Sequence, residues 1–298
     1  MNPTAGHGRT HKALPALQSA FAAHDIPVHV SLDAADGQRH ARAALARGDG
    51  VIACGGDGTV SGLAAVAADE HGPLAIVPTG AGNDLARHLG IPKRAIDAIG
   101  LMDSGRLTTI DLGRATAHDG TSTTFTTVAN TGFDADANRW ANGVHWATGT
   151  PLYVLALLRT LAVYRPSRMR VRVDEAEWEG EAWLVAVGNT RWYAGGMMIT
   201  PGAEVDDGLL DVCIIRDVSK VEFLWRFPRV FKGTHVALDD VITMRGATVE
   251  ISAPSGNIGS RPELWASGER VGPLPAQIEV APGALRVLVP GAAPFTRP

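Results

Sequence analysis

Residues 51–61, Val-Ile-Ala-Cys-Gly-Gly-Asp-Gly-Thr-Val-Ser, decide how the first part of the chain is read. Val51 to Cys54 is apolar without alternation, the pattern of a parallel strand covered on both faces. Gly55, Gly56 and Gly58 then clear the backbone of side chains where that strand ends, and Thr59 to Asp69 is Ala- and Val-rich with helical spacing. The glycine loop therefore joins the carboxyl end of a strand to the amino end of a helix. Unpaired N–H groups and the helix dipole favour an anion there, and the missing side chains let it come close. Asp57 would repel phosphates unless a divalent cation lay between, so the loop reads as a site for a Mg²⁺-nucleotide. The competing reading is a tight strand-to-helix turn in which Asp57 only caps the helix. The spacing fits neither a Walker loop nor a dinucleotide G-x-G-x-x-G fingerprint.

A second loop strengthens the first reading. Leu74 to Pro78 is another apolar run, followed by Thr79-Gly80-Ala81-Gly82-Asn83-Asp84 and a helix start at Leu85 to Leu89. Two glycine loops thus leave consecutive strands at one sheet edge, although Asn83 and Asp84 could serve simply as caps. Helical patterns at Thr10 to His24 and Gly37 to Arg47 flank a strand expected at Val28 to Ser31. This alternation predicts a Rossmann-like parallel sheet with helices on both faces. A helix is expected at Ala95 to Met102, and a strand at Thr108 to Gly113 leaves the domain.

From about residue 114 the texture changes. Thr121 to Val128, Met169 to Val173, Trp178 to Val187, Leu209 to Ile215, Thr248 to Ser252 and Ala276 to Val280 are short runs punctuated by turns, as in an antiparallel β-sandwich. Helices are expected only at Pro151 to Tyr164 and Val218 to Phe231. The division is therefore an α/β nucleotide-binding domain at 1–113 and a β-sandwich domain at 114–298.

Composition narrows the function classes. With 298 residues and 45% hydrophobic content the chain can bury a large core. A net charge of −4 and a pI near 6.2 argue against a nucleic-acid partner. Cys54 and Cys213 lie in apparent buried strands rather than in a metal clip, which fits a reduced, cytoplasmic protein. The opening residues show no leader pattern, and no apolar run is long enough to span a bilayer. The ten histidines form no HxH pair, and no transition metal is assigned.

The segments Asn2-Pro3-x-x-Gly6, Gly55-Gly-Asp-Gly-Thr59, Pro78-x-Gly80-x-Gly82-Asn-Asp84, Asn130-x-Gly132-Phe133, Gly195-Gly196, Pro201-Gly202-Ala203, Asp206-Asp-Gly-Leu-Leu-Asp211 and Gly268-Glu269 run in one order from end to end. In that order they resemble the diacylglycerol kinase-like lipid kinases, specifically the bacterial type related to sphingosine kinases. The resemblance implies an active site in the cleft between the two domains. It implies ATP held by Gly55, Gly56, Asp57, Gly58, Thr59, Val60 and Ser61, with Gly80, Gly82, Asn83 and Asp84 from the second loop. The family often has Thr where this chain has Ala81, so one hydroxyl contact to nucleotide is missing. The family also carries a strand ahead of its Asn-Pro motif, whereas this sequence starts at the motif.

Further roles are carried over by position. A second Mg²⁺ would be held by the Asp207 side chain and by the carbonyls of Glu204 and Leu209, in what is otherwise an ordinary Asp-Asp-Gly turn. Glu269 would be the catalytic general base on the lipid hydroxyl, with Asp57 as its catalytic partner at the metal; Ser267 stands where the family has Asp. Asp111, at a strand end, either contacts the lipid or caps. Lys220, Arg226, Arg229 and Lys232 share a helix with apolar residues, which suits either a peripheral membrane surface on the inner leaflet or ordinary packing with solvated charges. The expected activity is transfer of the γ-phosphate of Mg-ATP to a lipid alcohol, diacylglycerol by default. The rivals are an NAD kinase, which shares Gly-Gly-Asp-Gly-Thr, and a catalytically silent nucleotide- or lipid-binding relative. A homodimer stays open.

Overall fold

In the computed structural model, strand β1 (Val51–Gly55) delivers the first glycine loop and helix α3 (Asp57–Asp69) receives it. The structure describes residues 1–6, 9–133, 135, 160, 164–254 and 262–291. Helices α1 (Arg9–Ala22) and α2 (Ala34–Leu45) precede that pair. After it come β2 (Pro73–Pro78), α4 (Asp84–His88), α5 (Ala95–Ile99), α6 (Leu101–Ser104) and β3 (Gly105–Ala117). The chain divides into two compact units, Met1–Leu112 with the stretch from Pro282 onward, and Gly113–Ala281.

In the first unit β1 and β2 run parallel, from Val51 beside Leu74 to Gly55 beside Pro78. The tail of the last strand, β13 (Ala276–Pro290), joins β2 in parallel through Arg286 and Val287. That pairing places residues from 282 onward in the first unit, where a simple cut after residue 113 would put them in the second. Ala53, Leu74, Ile76 and Val77 are buried, as the unbroken apolar runs require. The strand expected at Val28 to Ser31 does not form. Among the described residues its backbone partner is Met1: the Met1 amino group donates to His29 O at 2.8 Å, and Ser31 N donates to Met1 O at 2.9 Å. Asn2 N donates across to Cys54 O at 3.0 Å. One paired residue does not make a ladder, so most of that edge of β1 borders a cavity of about 790 Å³ lined by Phe21, Val28, Val51, Ile52 and Leu63.

The second unit is antiparallel. It contains β4 (Ser122–Phe125), β5 (Val128–Gly132), β6 (Ser167–Val173), β7 (Ala176–Gly188), β8 (Leu210–Arg216), β9 (Val241–Gly246), β10 (Thr248–Ser252), β11 (Glu263–Ala266) and β12 (Glu269–Pro273). Strand β7 is its spine, pairing with β6 along its first half and with β5 and β8 along its second. Alternate residues of β7 enter different cores. Val185 and Val187 pack with Phe125, Met169, Val212 and Ile251, while Leu184 and Ala186 pack with Trp183, Ile199, Cys213 and Phe223. Burial on both faces is why Trp183 to Val187 reads as an unbroken apolar run.

The helix expected over Val218 to Phe231 stops early. Helix α7 (Lys220–Arg226) starts at a Ser219/Glu222 capping box, and a 3-10 helix follows over Phe227–Lys232. Pro228 lacks an N–H and its ring crowds the carbonyl four residues back, so the α-helix cannot continue. The helix expected at Pro151 to Tyr164 lies outside the described residues except for Thr160 and Tyr164.

Candidate functional site

The two glycine loops of the first unit lie in backbone contact. A Cβ built on Gly80 would sit 2.4 Å from the Gly56 Cα, and one on Gly56 would sit 3.1 Å from the Gly80 Cα. No other residue permits that approach. Thr79 N donates to Gly55 O at 2.9 Å, continuing the β1–β2 register into the loops. Asp57 then fastens them: its two carboxylate oxygens accept from Asn83 N at 2.7 Å and Asp84 N at 2.6 Å, the amino end of α4. Asp57 thus caps a helix, as the plainer reading had it, but the neighbouring helix rather than its own. Asn83 takes a left-handed conformation at φ 54°, which asparagine tolerates, and its amide exchanges two hydrogen bonds with Gly80. Buried Asp84 pairs with Arg87 at 2.7 Å.

The Asn-Pro motif belongs to the same constellation. Asn2 Nδ2 donates to Thr59 Oγ1 at 2.8 Å, and Thr10 Oγ1 donates to Thr79 Oγ1 at 2.7 Å. Thr59 was an expected nucleotide residue, whereas Thr10 and Thr79 were not; the signal for Thr79 was its place directly after a strand. Helix α3 begins at Gly56 with no side-chain cap. Gly58, in its first turn, is exposed, and a Cβ there would meet nothing within 4 Å. Protein packing therefore does not require glycine at this position. Glycine there leaves the N–H groups in the first turn of α3 open to a group approaching from outside. Val60 and Ser61 lie on the buried side of α3, and Val60 N is bonded to Gly56 O at 2.9 Å, so they support the loop from beneath.

Asp111 sits within β3, buried, and its carboxylate accepts from Gly283 N at 2.7 Å.

The acidic turn of the second unit is already charge-compensated. Asp207 accepts Leu209 N at 3.0 Å and pairs with Arg245, Asp211 pairs with Arg245 at 3.0 Å, and Glu204 pairs with Arg191. Register decides the Asp211–Arg245 partnership, because Asp211 lies opposite Arg245 across β8 and β9. Burial pushes the Asp211 carboxyl up, and Arg245 opposes that shift. A hard cation at this turn has oxygen ligands within reach but must share Asp207 with a guanidinium.

Glu269 opens β12 after a two-residue turn in which Ser267 and Gly268 both have positive φ, 48° and 83°. Such a turn matches the twist of the paired strands. Ser267 is held by its N–H to Val128 O at 3.0 Å and by a hydroxyl contact to Thr127 at 3.3 Å. Glu269 is exposed and makes no hydrogen bond or ion pair among the described residues.

His29, Asp36 and His40 converge in the first unit. The two imidazoles stack at 3.4 Å with an angle of 16° between planes. A metal must lie in the plane of each ring it binds, and nearly parallel planes so far apart share no such point. Asp36 instead ends α2's amino terminus in hydrogen bonds with His29 and Leu32 N.

Residues 1–115 match the diacylglycerol kinase catalytic domain, and residues 127–289 match the YegS C-terminal NAD kinase beta sandwich-like domain. A diacylglycerol kinase of Mycobacterium tuberculosis is 40% identical over 296 residues, covering 97% of this chain and 93% of that one. A protein named "Probable lipid kinase YegS-like" from Stenotrophomonas maltophilia is 30% identical over 280 residues, covering 91% and 88%. A crystal structure of a diacylglycerol kinase from Bacillus anthracis superimposes with a TM-score of 0.69 at 21% identity, over 98% of this chain and 95% of that one. That likeness bears on the fold: a Rossmann-like α/β unit and an antiparallel β-sandwich unit. With 40% identity over nearly the whole length and both domains matched in order, the chain belongs to the diacylglycerol kinase family of lipid kinases.

Proposed function

We propose that the protein transfers the γ-phosphate of ATP to the hydroxyl of a membrane lipid alcohol, diacylglycerol giving phosphatidic acid. The observation that carries the nucleotide half is the pair of crossed glycine loops beside an uncapped helix terminus, with Gly58 open to solvent. Backbone N–H groups of α3 take phosphate oxygens, and Gly80, Gly82 and Asn83 close the opposite wall. Asp57 holds the two walls together and has carboxylate lone pairs left for a cation. Mg²⁺ carried in with the nucleotide supplies charge neutralisation of the transferring phosphoryl group. Glu269, unpaired and exposed, accepts the proton of the attacking hydroxyl. Asp111 is proposed as a lipid contact. At the second turn, Asp207 with the Glu204 and Leu209 carbonyls is proposed to take a structural Mg²⁺ in competition with Arg245. The work of the site is positioning and electrostatics rather than covalent catalysis.

The test is ³²P transfer from labelled ATP to a panel of lipid alcohols in detergent micelles, with sphingoid bases and NAD included. Label in phosphatidic acid is expected. Label in another lipid phosphate would replace the substrate, label in NADP would replace the reaction, and ATP binding without transfer would leave a silent relative.

A further inference from the structure

Helix α7 is apolar on two opposite sides. One side is spent on the fold: Phe223 is buried with its ring stacked 4.6 Å from that of Trp183, and Phe223, Phe227 and Phe231 follow one another in ring contact. The other side carries Val221, Leu224 and Trp225, three and four residues apart on one face, and they are 72%, 52% and 84% exposed. Phe231, beyond the Pro228 break, adds a further ring at 53% exposure. Large side chains clustered this openly mark a surface that meets something apolar.

The charges around the cluster say what that is. Arg229 and Lys232 follow in the 3-10 helix, Lys220 opens α7, and all three are exposed. Glu222, the acid of α7, is occupied in the capping box and by Arg226, and Arg226 is paired with Asp240. Arg229 and Lys232 therefore put exposed positive charge beside the apolar centre, in which a tryptophan is the most exposed residue. A protein partner with an apolar patch would not need the positive charge. An anionic bilayer needs both, since acyl chains take the apolar side chains and headgroup phosphates take lysine and arginine.

Resting on the reading of the protein as a lipid kinase, we propose that this face of α7 docks on anionic phospholipid bilayers, with Leu224 and Trp225 at the headgroup boundary and Arg229 and Lys232 on the phosphates. Rings held beneath α7 make it a fixed platform, so docking needs no refolding.

The test is co-sedimentation of the full chain with vesicles of phosphatidylcholine, with and without phosphatidylglycerol. Binding is expected only with phosphatidylglycerol, weakening with salt, and Leu224→Glu or Trp225→Glu should cut it about tenfold or more. Ile96→Glu, a similarly exposed apolar residue in the first unit, should leave it unchanged. Equal binding by Trp225→Glu, or no binding to either vesicle, overturns the proposal. So does a solution dimer that Trp225→Glu splits, since the patch would then serve a second copy. Sedimentation needs no turnover, so failure of the kinase reading shows separately, as absence of phosphate transfer to dispersed short-chain diacylglycerol by the unmodified protein.

Discussion

Replacing Gly58 by alanine separates the folding role of the first loop from its binding role. Gly58 lies in the first turn of α3, and an added methyl group meets nothing within 4 Å. The folded state therefore accepts alanine, and the unfolded chain loses freedom, a gain of about 0.4–1 kcal/mol. For units of this size that is an upward shift of roughly 1–4 °C in unfolding temperature. Under the proposed phosphate placement, the same methyl group crowds oxygens bound at the α3 N–H groups. ATP affinity should fall at least about tenfold, or roughly 1.4 kcal/mol. Differential scanning calorimetry reads the first effect, and titration calorimetry with a non-hydrolysable ATP analogue and Mg²⁺ reads the second. A stabilised variant that binds the analogue as tightly as the parent would refute the placement of phosphate over Gly58. Gly80→Ala is the contrast: its methyl group would strike the Gly56 Cα and Asn83 Oδ1, so stability and binding should fall together.

Asp57→Ala removes both acceptors that latch the second loop to the first, and turnover should be abolished with a loss of about 2–4 kcal/mol in stability; wild-type rate would exclude Asp57 from the site. Glu269→Gln should bind the ATP analogue normally and lose phosphate transfer, because nothing in the fold depends on the Glu269 carboxylate; full activity would remove it as base. Asp36 is held near pKa 2, chiefly by its hydrogen bond with His29 and then by Leu32 N. A lowered carboxylate pKa contributes stability above its ordinary value of 3.8 that drains away as pH falls toward about 2. Acid unfolding of Asp36→Asn should accordingly start from a less stable state and show a flatter dependence between pH 3.8 and about 2. Appending an extended, β-branched pentapeptide ahead of Met1 should raise the unfolding temperature by filling the cavity beside β1; an unchanged or lower value would mean the cavity accepts no strand.

Local chemistry was legible wherever it depended on neighbours in the chain. The apolar runs at 51–54 and 74–78 are buried parallel strands, and the glycines follow directly, because a strand covered on both faces must be apolar throughout and a loop at a helix terminus must be bare. The turn before Glu269 was readable for the same reason, since Gly268 admits the positive φ. Val28 to Ser31 has strand propensity, but propensity without a paired neighbour leaves an extended segment. Strands β9, β11 and β12 escaped because each is short and only cross-strand partners define it.

What the sequence determined alone is the order of motifs, the two textures of the chain and the residue types a phosphate site needs. Tertiary structure decided the partnerships. Asp57 bonds residues 26 and 27 positions away, Asn2 reaches Thr59, and strand register sets Arg245 opposite Asp211, where it also meets Asp207 from the turn. Both faces of α7 carry apolar residues, yet only packing against Trp183 decides which is core and which is surface. The reason is physical: periodicity records that a side chain is apolar, whereas contact and exposure are set by what the fold brings opposite it.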